Sequence, residues 1–518
     1  MNRWLRTFTV VAAAFACVAV ALPAQAQETS AAVGPEVISA VRSDISPPLR
    51  DMPVLPLPAS RGIIPLRPGA AIEPGTGGPD PVASEPAGLS PLGIKLNFDG
   101  QSADGVAPPD TNGTVGATQY VQWVNLVYNV YDKNTGTKLA GPLPGNQFWS
   151  GFGGLCGSHN DGDPNIQYDK VAGRWVAEQF AITGPSNSIC IAVSTTSDAL
   201  GSYARYEFNF GNQGPDYPKL GVWPDAYYVT SRTFVNFQNF AGAKSCAFDR
   251  TKMLAGLPAT AICFQLNNTN DGLLPSDQDG LTPPPVGSPN FHIDQGDSTH
   301  LRFYKFHVDF AVPANSTFTG PINLAVAAYT PLCFSSCVPQ PAPGEMLDGL
   351  GPFMMYRLAY RNFGTFESLL TNHSVNNGGV AGVRWYEIRD LSAPTPTVFQ
   401  QGTIAVGNVH LWMGSIAQDK MGNIAVGFSA SNNMAVKPSV AVTGRLPADP
   451  PGTMRTPHGL AIGTGVQQNT FHRWGDYSAL IVDPLDDCTF WYTSEYIKSN
   501  GSFNWSTRIS SFTFPSCQ

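Results

Sequence analysis

From Gly93 onward the chain has almost no stretch with helical periodicity. Short apolar and aromatic runs alternate with clusters of Gly, Pro, Asn and Asp, the pattern of half-buried strands joined by tight turns. Stacking the strongest runs reveals a loose repeat: Tyr120–Asn125, Trp175–Phe180, Tyr227–Arg232, Ser368–His373, Ile424–Ser429 and Phe490–Glu495, with a weaker copy at Phe291–Asp294. Successive runs start about 50 to 80 residues apart, the spacing of a repeat unit with several strands. Each run follows another strand that opens near Pro, Gly or Asp, as at Pro109-Asp110-Thr111, Gly162-Asp163-Pro164, Pro215-Asp216-Tyr217-Pro218 and Gly475-Asp476-Tyr477-Ser478. The clearest internal match sets Asp216–Val222 against Asp476–Val482. Two more strands follow in most units, such as Cys190–Ser194 and Ala204–Phe208. The expected fold is therefore all-β, a seven-bladed β-propeller of four-stranded antiparallel blades. The last unit lacks a fourth strand, and the alternating Ile94–Phe98 run is expected to supply it, leaving no open edge at the seam. Turn-rich residues 267–300 are the weak point, so six- and eight-bladed rings stay open.

Residues 1–26 have the layout of a secretory leader: Arg3 and Arg6, an apolar Val10–Leu22, then Ala24-Gln25-Ala26. That apolar stretch is short for a membrane span, and no later one is long enough. Residues 27–92 are rich in Pro, Ala, Gly and Ser and are expected to be a disordered linker or propeptide, with a docked prosegment as the lesser alternative. The propeller would then occupy 93–518. Eight cysteines follow the leader, and an even count in an exported chain favours disulfides. Neighbours along the chain suggest the pairs 156–190, 246–263, 333–337 and 488–517, although sequence alone does not fix connectivity. The expected location is secreted, extracellular or periplasmic, and the expected state is a monomer. With 30 Lys plus Arg against 38 Asp plus Glu, the chain lacks the basic stripe that nucleic acid requires. Charged residues are only 13% and aromatics 11%, which excludes a charge-rich disordered chain.

In a propeller, the starts of first strands and the ends of second strands meet at one mouth of the central channel. Asp110, Asp163, Asp216 and Asp476 belong to the first group, with Trp474 beside the last; Asn125, Gln179, Arg232, His373 and Glu495 belong to the second. Arg357 and Arg361 share one face of an inner strand and are expected to project into the channel. Paired carboxylates can divide acid and nucleophile roles, arginines can hold an acidic group, and Trp474, Tyr477 and Trp412 can stack on sugar faces. The catalytic candidates are Asp476, Glu495, Tyr477 and His373; the substrate-binding candidates are Arg232, Arg357, Arg361, Asp110, Asp163, Asp216 and Trp474. An Asp at a strand start also commonly caps a turn, and a channel arginine is often simply paired with Asp. His159, Asp161 and Asp163 alternate beside a turn and leave room for a structural Ca²⁺, though they do not complete a calcium-loop pattern. No His-Glu-x-x-His, nucleophile elbow, phosphate loop or dinucleotide fingerprint occurs.

With Asp163-Pro164, Tyr168-Asp169, Arg174-Trp175 and Arg473-Trp474-Gly475-Asp476-Tyr477-Ser478, residues 93–518 resemble secreted bacterial propellers related to the sialidase-like (BNR-type) superfamily. The resemblance is one of fold, and the Ser-x-Asp-x-Gly-x-Thr-Trp box of that superfamily is absent. It implies an arginine triad, imitated by Arg232, Arg357 and Arg361, and a Tyr–Glu nucleophile pair, imitated by Tyr477 and Glu495. The leading expectation is a carbohydrate-directed propeller, a glycoside hydrolase acting on acidic glycans at the channel mouth. The alternative is a non-catalytic propeller that binds a surface protein or glycan. A third reading is a polysaccharide lyase with His373 or a Tyr as base and an Arg neutralising a uronate.

Overall fold

The computed structural model describes residues 32–58, 62–70, 75, 77–103 and 105–517. The leader assigned to 1–26 lies outside the described residues. The structure is nearly all β: among the described residues, α-helix is limited to Gly154–Ser158 and Arg250–Leu254. The sheets are the successive antiparallel meanders of a β-propeller. One runs through Thr111–Val115, Gln119–Val124, Val127–Asp132 and Lys138–Pro144, and the next through Asn165–Asp169, Arg174–Ile182, Asn187–Ser194 and Tyr203–Asn209. A third spans Gln213–Val222 to Thr260–Gln265; others span His410–Gln418 to His458–Ala461 and Ala479–Val482 to Trp505–Thr513.

The turn-rich region forms a stunted first strand, Leu274–Asp279. It pairs antiparallel with Asn290–Asp297 through Leu274 and Pro275 alone, then runs parallel to Met354–Asn362 from Ser276 to Asp279. This parallel junction fuses two meanders into a ten-stranded sheet. The strong sequence runs all fall on second strands, where residues are buried on both faces and the apolar signal is therefore densest.

The first strands line the centre. Thr111–Val115 packs on Asn165–Asp169, which packs on Gln213–Val222, then on Leu274–Asp279, Met354–Asn362, His410–Gln418 and Ala479–Val482; the last returns to Thr111–Val115. Gly93–Ser102 pairs antiparallel with Trp505–Thr513 at the outer side of the last meander. Aromatic and branched side chains fill the space between adjacent sheets, for example Trp123, Trp149, Phe148 and Trp175 between the first two. Four disulfides, Cys156–Cys190, Cys246–Cys263, Cys333–Cys337 and Cys488–Cys517, match the pairs suggested by chain proximity.

The lead-in segment requires a correction: its described residues are not a disordered linker. Val33–Ser39 pairs with Thr260–Gln265, and Arg42–Ile45 pairs with Tyr203–Asn209, each extending a meander by a fifth strand. Glu36 and Asp44 add ion pairs to Lys244 and Arg205 at 2.7 and 2.6 Å. Proline argues against a central strand, but these are edge strands, which need only one row of hydrogen bonds. The register shifts between Val33 and Glu36, so Pro35 is accommodated in an irregularity. Further on, Asp80 is buried against Arg384 and Thr403, and Ala83–Ser84 pairs parallel with Thr403–Ile404.

Candidate functional site

The predicted acids do meet at one end of the channel, but they are covered. Asp110, Asp163 and Asp476 each sit in the left-handed region (φ 48°, 48° and 64°) just before a first strand, and Tyr217 and Met413 adopt the same conformation at the matching places (φ 53° and 52°). Asp tolerates this conformation better than most residues, which explains the repeated Asp as part of the turn. The turn also aims each residue into the channel. Tyr217 Oη donates to the Asp476 carbonyl (2.7 Å) and Tyr477 Oη to the Pro164 carbonyl (3.1 Å), so two tyrosines bridge the channel.

Asp110 and Asp163 are both buried in one cluster of acids at this end of the channel. Neighbouring buried carboxyls raise one another, so the cluster resists full ionisation. Burial, then the charges of Asp163 and Asp476, holds Asp110 well above the usual carboxylate range. Burial with Asp216 and Asp476 pushes Asp163 up to about 7. Asp163 Oδ2 also accepts from the Tyr217 N–H (3.0 Å), while Asn125 Nδ2 donates to Asp110 Oδ2 (3.0 Å). Asp476 is raised by burial despite Arg473, which donates to its Oδ2 at 2.6 Å. Arg473 also holds buried Asp348 at 2.8 Å. Glu495 Oε1 accepts from the Gly475 N–H at 2.5 Å, and burial keeps this carboxyl well above its usual range. Asp110 Oδ1, Asp476 Oδ1 and Glu495 Oε2 are buried and have no hydrogen-bond partner among the described residues.

Two groups that the sequence reading passed over complete the cluster. Lys219 Nζ lies 3.3 Å from the ring centre of Tyr217 and 4.0 Å from that of Tyr477, and burial lowers its pKa to about 8. Burial raises Glu178 to about 8; it accepts from Asn165 Nδ2 at 2.8 Å. The signal for Lys219 was its place on the buried strand Gln213–Val222, in the repeat already matched to Asp476–Val482. Glu178 stands in the middle of the Trp175–Phe180 run, flanked by apolar neighbours.

The remaining candidates are corrected by their partners. Arg232 is paired with Asp271 (2.6 Å) and Asp216 (2.9 Å). Arg357 is fully buried between Asp277 (2.7 Å) and Asp279 (2.6 Å) and donates to the Leu480 carbonyl. Arg361 lies at the other end of its strand and is held bidentately by Asp487 at 2.7 and 2.6 Å. The three arginines therefore neutralise Asp residues and do not form a triad. His373 is buried away from the acids, bonded to Tyr386 Oη (2.9 Å) and Gln295 (3.3 Å); burial lowers its pKa to about 3, so it stays neutral. Trp474 and Trp412 pack on each other at 5.7 Å with no exposure, and neither is available to stack on a sugar.

The Ca²⁺ trio does not converge. His159 Nδ1 contacts Ser158 Oγ, Asp161 accepts from the Ile182 N–H, and Asp163 faces the channel. Among the described residues no three His, Cys, Asp or Glu side chains are grouped to hold a metal ion.

A cover closes this end. Ile64 and Leu66 of the lead-in lie against a cluster that includes Tyr217, Trp474 and Tyr477. The Ile64 carbonyl accepts from Arg473 Nε (2.8 Å), the Arg67 carbonyl accepts from Arg232 Nη2 (2.9 Å), and Arg67 Nη1 donates to Asp216 Oδ1 (2.9 Å). The Cys333–Cys337 loop packs on the same cluster through Phe334.

No family model and no curated protein matches the chain. Among solved structures, the extracellular domains 1–2 of Drosophila Semaphorin 1b share 8% identity over 83% of this chain and 88% of theirs, with a TM-score of 0.32. The WD40 domain of SCAP from fission yeast shares 7% over 77% and 82% (TM-score 0.31). An endo-arabinase from Bacteroides thetaiotaomicron shares 11% over 68% and 92% (TM-score 0.29). Likeness at this level carries no argument about activity.

Proposed function

We propose that the chain is an exported seven-bladed β-propeller, closed by Gly93–Ser102, that acts on carbohydrate at the acidic end of its channel. The blade count is supported by the cycle of first strands, with the junction at Leu274–Asp279 read as a shortened blade, and closure by the pairing of 93–102 with 505–513. Export is supported by the disulfides and the leader-like start of the sequence.

The observation that carries the hydrolytic reading is the buried cluster of Asp110, Asp163 and Asp476, with Asp163 pushed up to about 7 and Asp476 Oδ1 without a hydrogen-bond partner among the described residues. Asp163, which keeps its proton up to about pH 7, is the general acid, and Asp476, positioned by Arg473, is the base or nucleophile. A preference for acidic glycans is dropped, because Arg232, Arg357 and Arg361 are already paired. The test is a chromogenic-glycoside screen between pH 4 and 8, on the full chain and on an Arg67→Glu variant that loosens the cover. Asp476→Asn and Asp163→Asn should each lower turnover by about 100-fold or more with the fold retained. No product from any sugar in either form would end this reading.

A second reading, a non-catalytic propeller that binds a protein, is favoured by one observation: the mouth already seats an extended segment of chain.

A further inference from the structure

The way residues 62–70 are held is the way a receptor holds a ligand. Gly62–Ile63 adds to Val106–Ala107 as a parallel strand, with the Gly62 and Ile64 N–H groups donating to the Gly105 and Ala107 carbonyls at 2.9 and 2.8 Å. Two buried arginines of the mouth, Arg473 and Arg232, donate to the carbonyls of Ile64 and Arg67. The Arg67 guanidinium enters a pocket made of Asp216, at 2.9 Å, and the face of Phe237, 4.1 Å from its ring centre. The Ala70 N–H then meets Asp271 Oδ2 (3.0 Å). At Gly69, a Cβ would collide with the Asp271 carboxylate and the Arg232 guanidinium, so a larger residue there requires that buried ion pair to shift. Beside the segment, Ile63, Pro65, Leu66, Pro68, Phe334 and Phe471 line an apolar cleft of 530 Å³, and Phe471 is 74% exposed.

From these contacts we propose that the channel mouth is a peptide-recognition groove. Its external ligand is an extended segment of a partner protein carrying apolar residues and then Arg-Pro-Gly, and residues 62–70 occupy it as a tethered pseudo-ligand. Main-chain contacts supply affinity, as in strand addition, while the cation pocket and the crowded glycine position supply specificity. The tether gives the internal segment an effective concentration of order mM, so an outside peptide gains entry only by competing with it. This inference deepens the protein-binding reading and does not depend on whether the acids turn over a sugar.

The test uses a fluorescent peptide, Gly-Ile-Ile-Pro-Leu-Arg-Pro-Gly-Ala, with the full-length protein. Arg67→Glu places a carboxylate against Asp216 and should release the internal segment, seen as at least tenfold faster amide exchange at Gly62 and Ile64 with the strand Arg174–Ile182 unchanged. The released variant should bind the peptide at least tenfold more tightly than wild type. Replacing the peptide's Arg by Glu, or its Gly by Ala, should weaken binding at least tenfold. If Arg67→Glu does not fold, Arg67→Ala serves in its place. Unchanged exchange at Gly62 and Ile64, or release without peptide binding, would overturn the proposal. So would a wild-type dimer that dissociates on the same substitution, which would assign the groove to a second copy of the chain. The carbohydrate reading stands or falls separately, on the glycoside screen.

Discussion

At the scale of single residues, the channel cluster sets a stability cost that depends on pH. Asp163 titrates near 3.8 in an unfolded chain and at about 7 when buried beside Asp216 and Asp476. Between those values the folded state keeps a proton that the unfolded state has lost, so stability falls as pH rises through this window and stays reduced above it. Asp163→Asn removes the ionisation while keeping an acceptor for the Tyr217 N–H. The variant should be about 4 kcal/mol more stable than wild type at pH 8 and nearly equal to it at pH 4, measured by urea unfolding at both. Equal effects at the two pH values would show that no proton is held there. The sequence placed Asp110, Asp163 and Asp476 together correctly because each marks the same turn before a first strand. It could not show their burial, which comes from residues far away along the chain. The same limit hid the fate of Arg357, whose partners Asp277 and Asp279 lie on the stunted neighbouring strand.

Among elements, the second strands were the easiest to read, since burial on both faces concentrates apolar residues into an unbroken run. Edge strands carry no such run. Val33–Ser39 leaves Val33 and Val37 exposed and contains a proline, and its pairing rests on main-chain bonds and on Glu36 with Lys244. The final strand, Trp505–Thr513, has a different anchor: Cys517 just beyond it is bonded to Cys488, 29 residues earlier. Replacing both cysteines by Ala should cost about 3.6 kcal/mol, the entropy of closing a loop of that length, measured as a lower midpoint in denaturant. A midpoint shifted by less than a fifth of that amount would mean that sheet pairing alone holds the strand.

For the molecule as a whole, the seam between Gly93–Ser102 and Trp505–Thr513 carries the strongest prediction. Leu96 pairs with Ser511, and its N–H donates to the Ser511 hydroxyl at 3.2 Å. Leu96→Pro should remove about 3 kcal/mol and accelerate amide exchange in Trp505–Thr513. If the ring is closed, faster exchange should also reach Thr111–Val115, which packs on the last meander; unchanged protection there would contradict closure. The seam also imposes an order of events on biosynthesis. Gln101 accepts a hydrogen bond from Thr507, a residue 406 positions later. Residues 93–102 leave the ribosome long before their partner strand exists, so this pairing cannot form until residues 505–513 have been made. A strand made early is thus left waiting, its hydrogen-bonding edge open, for a partner made some four hundred residues later.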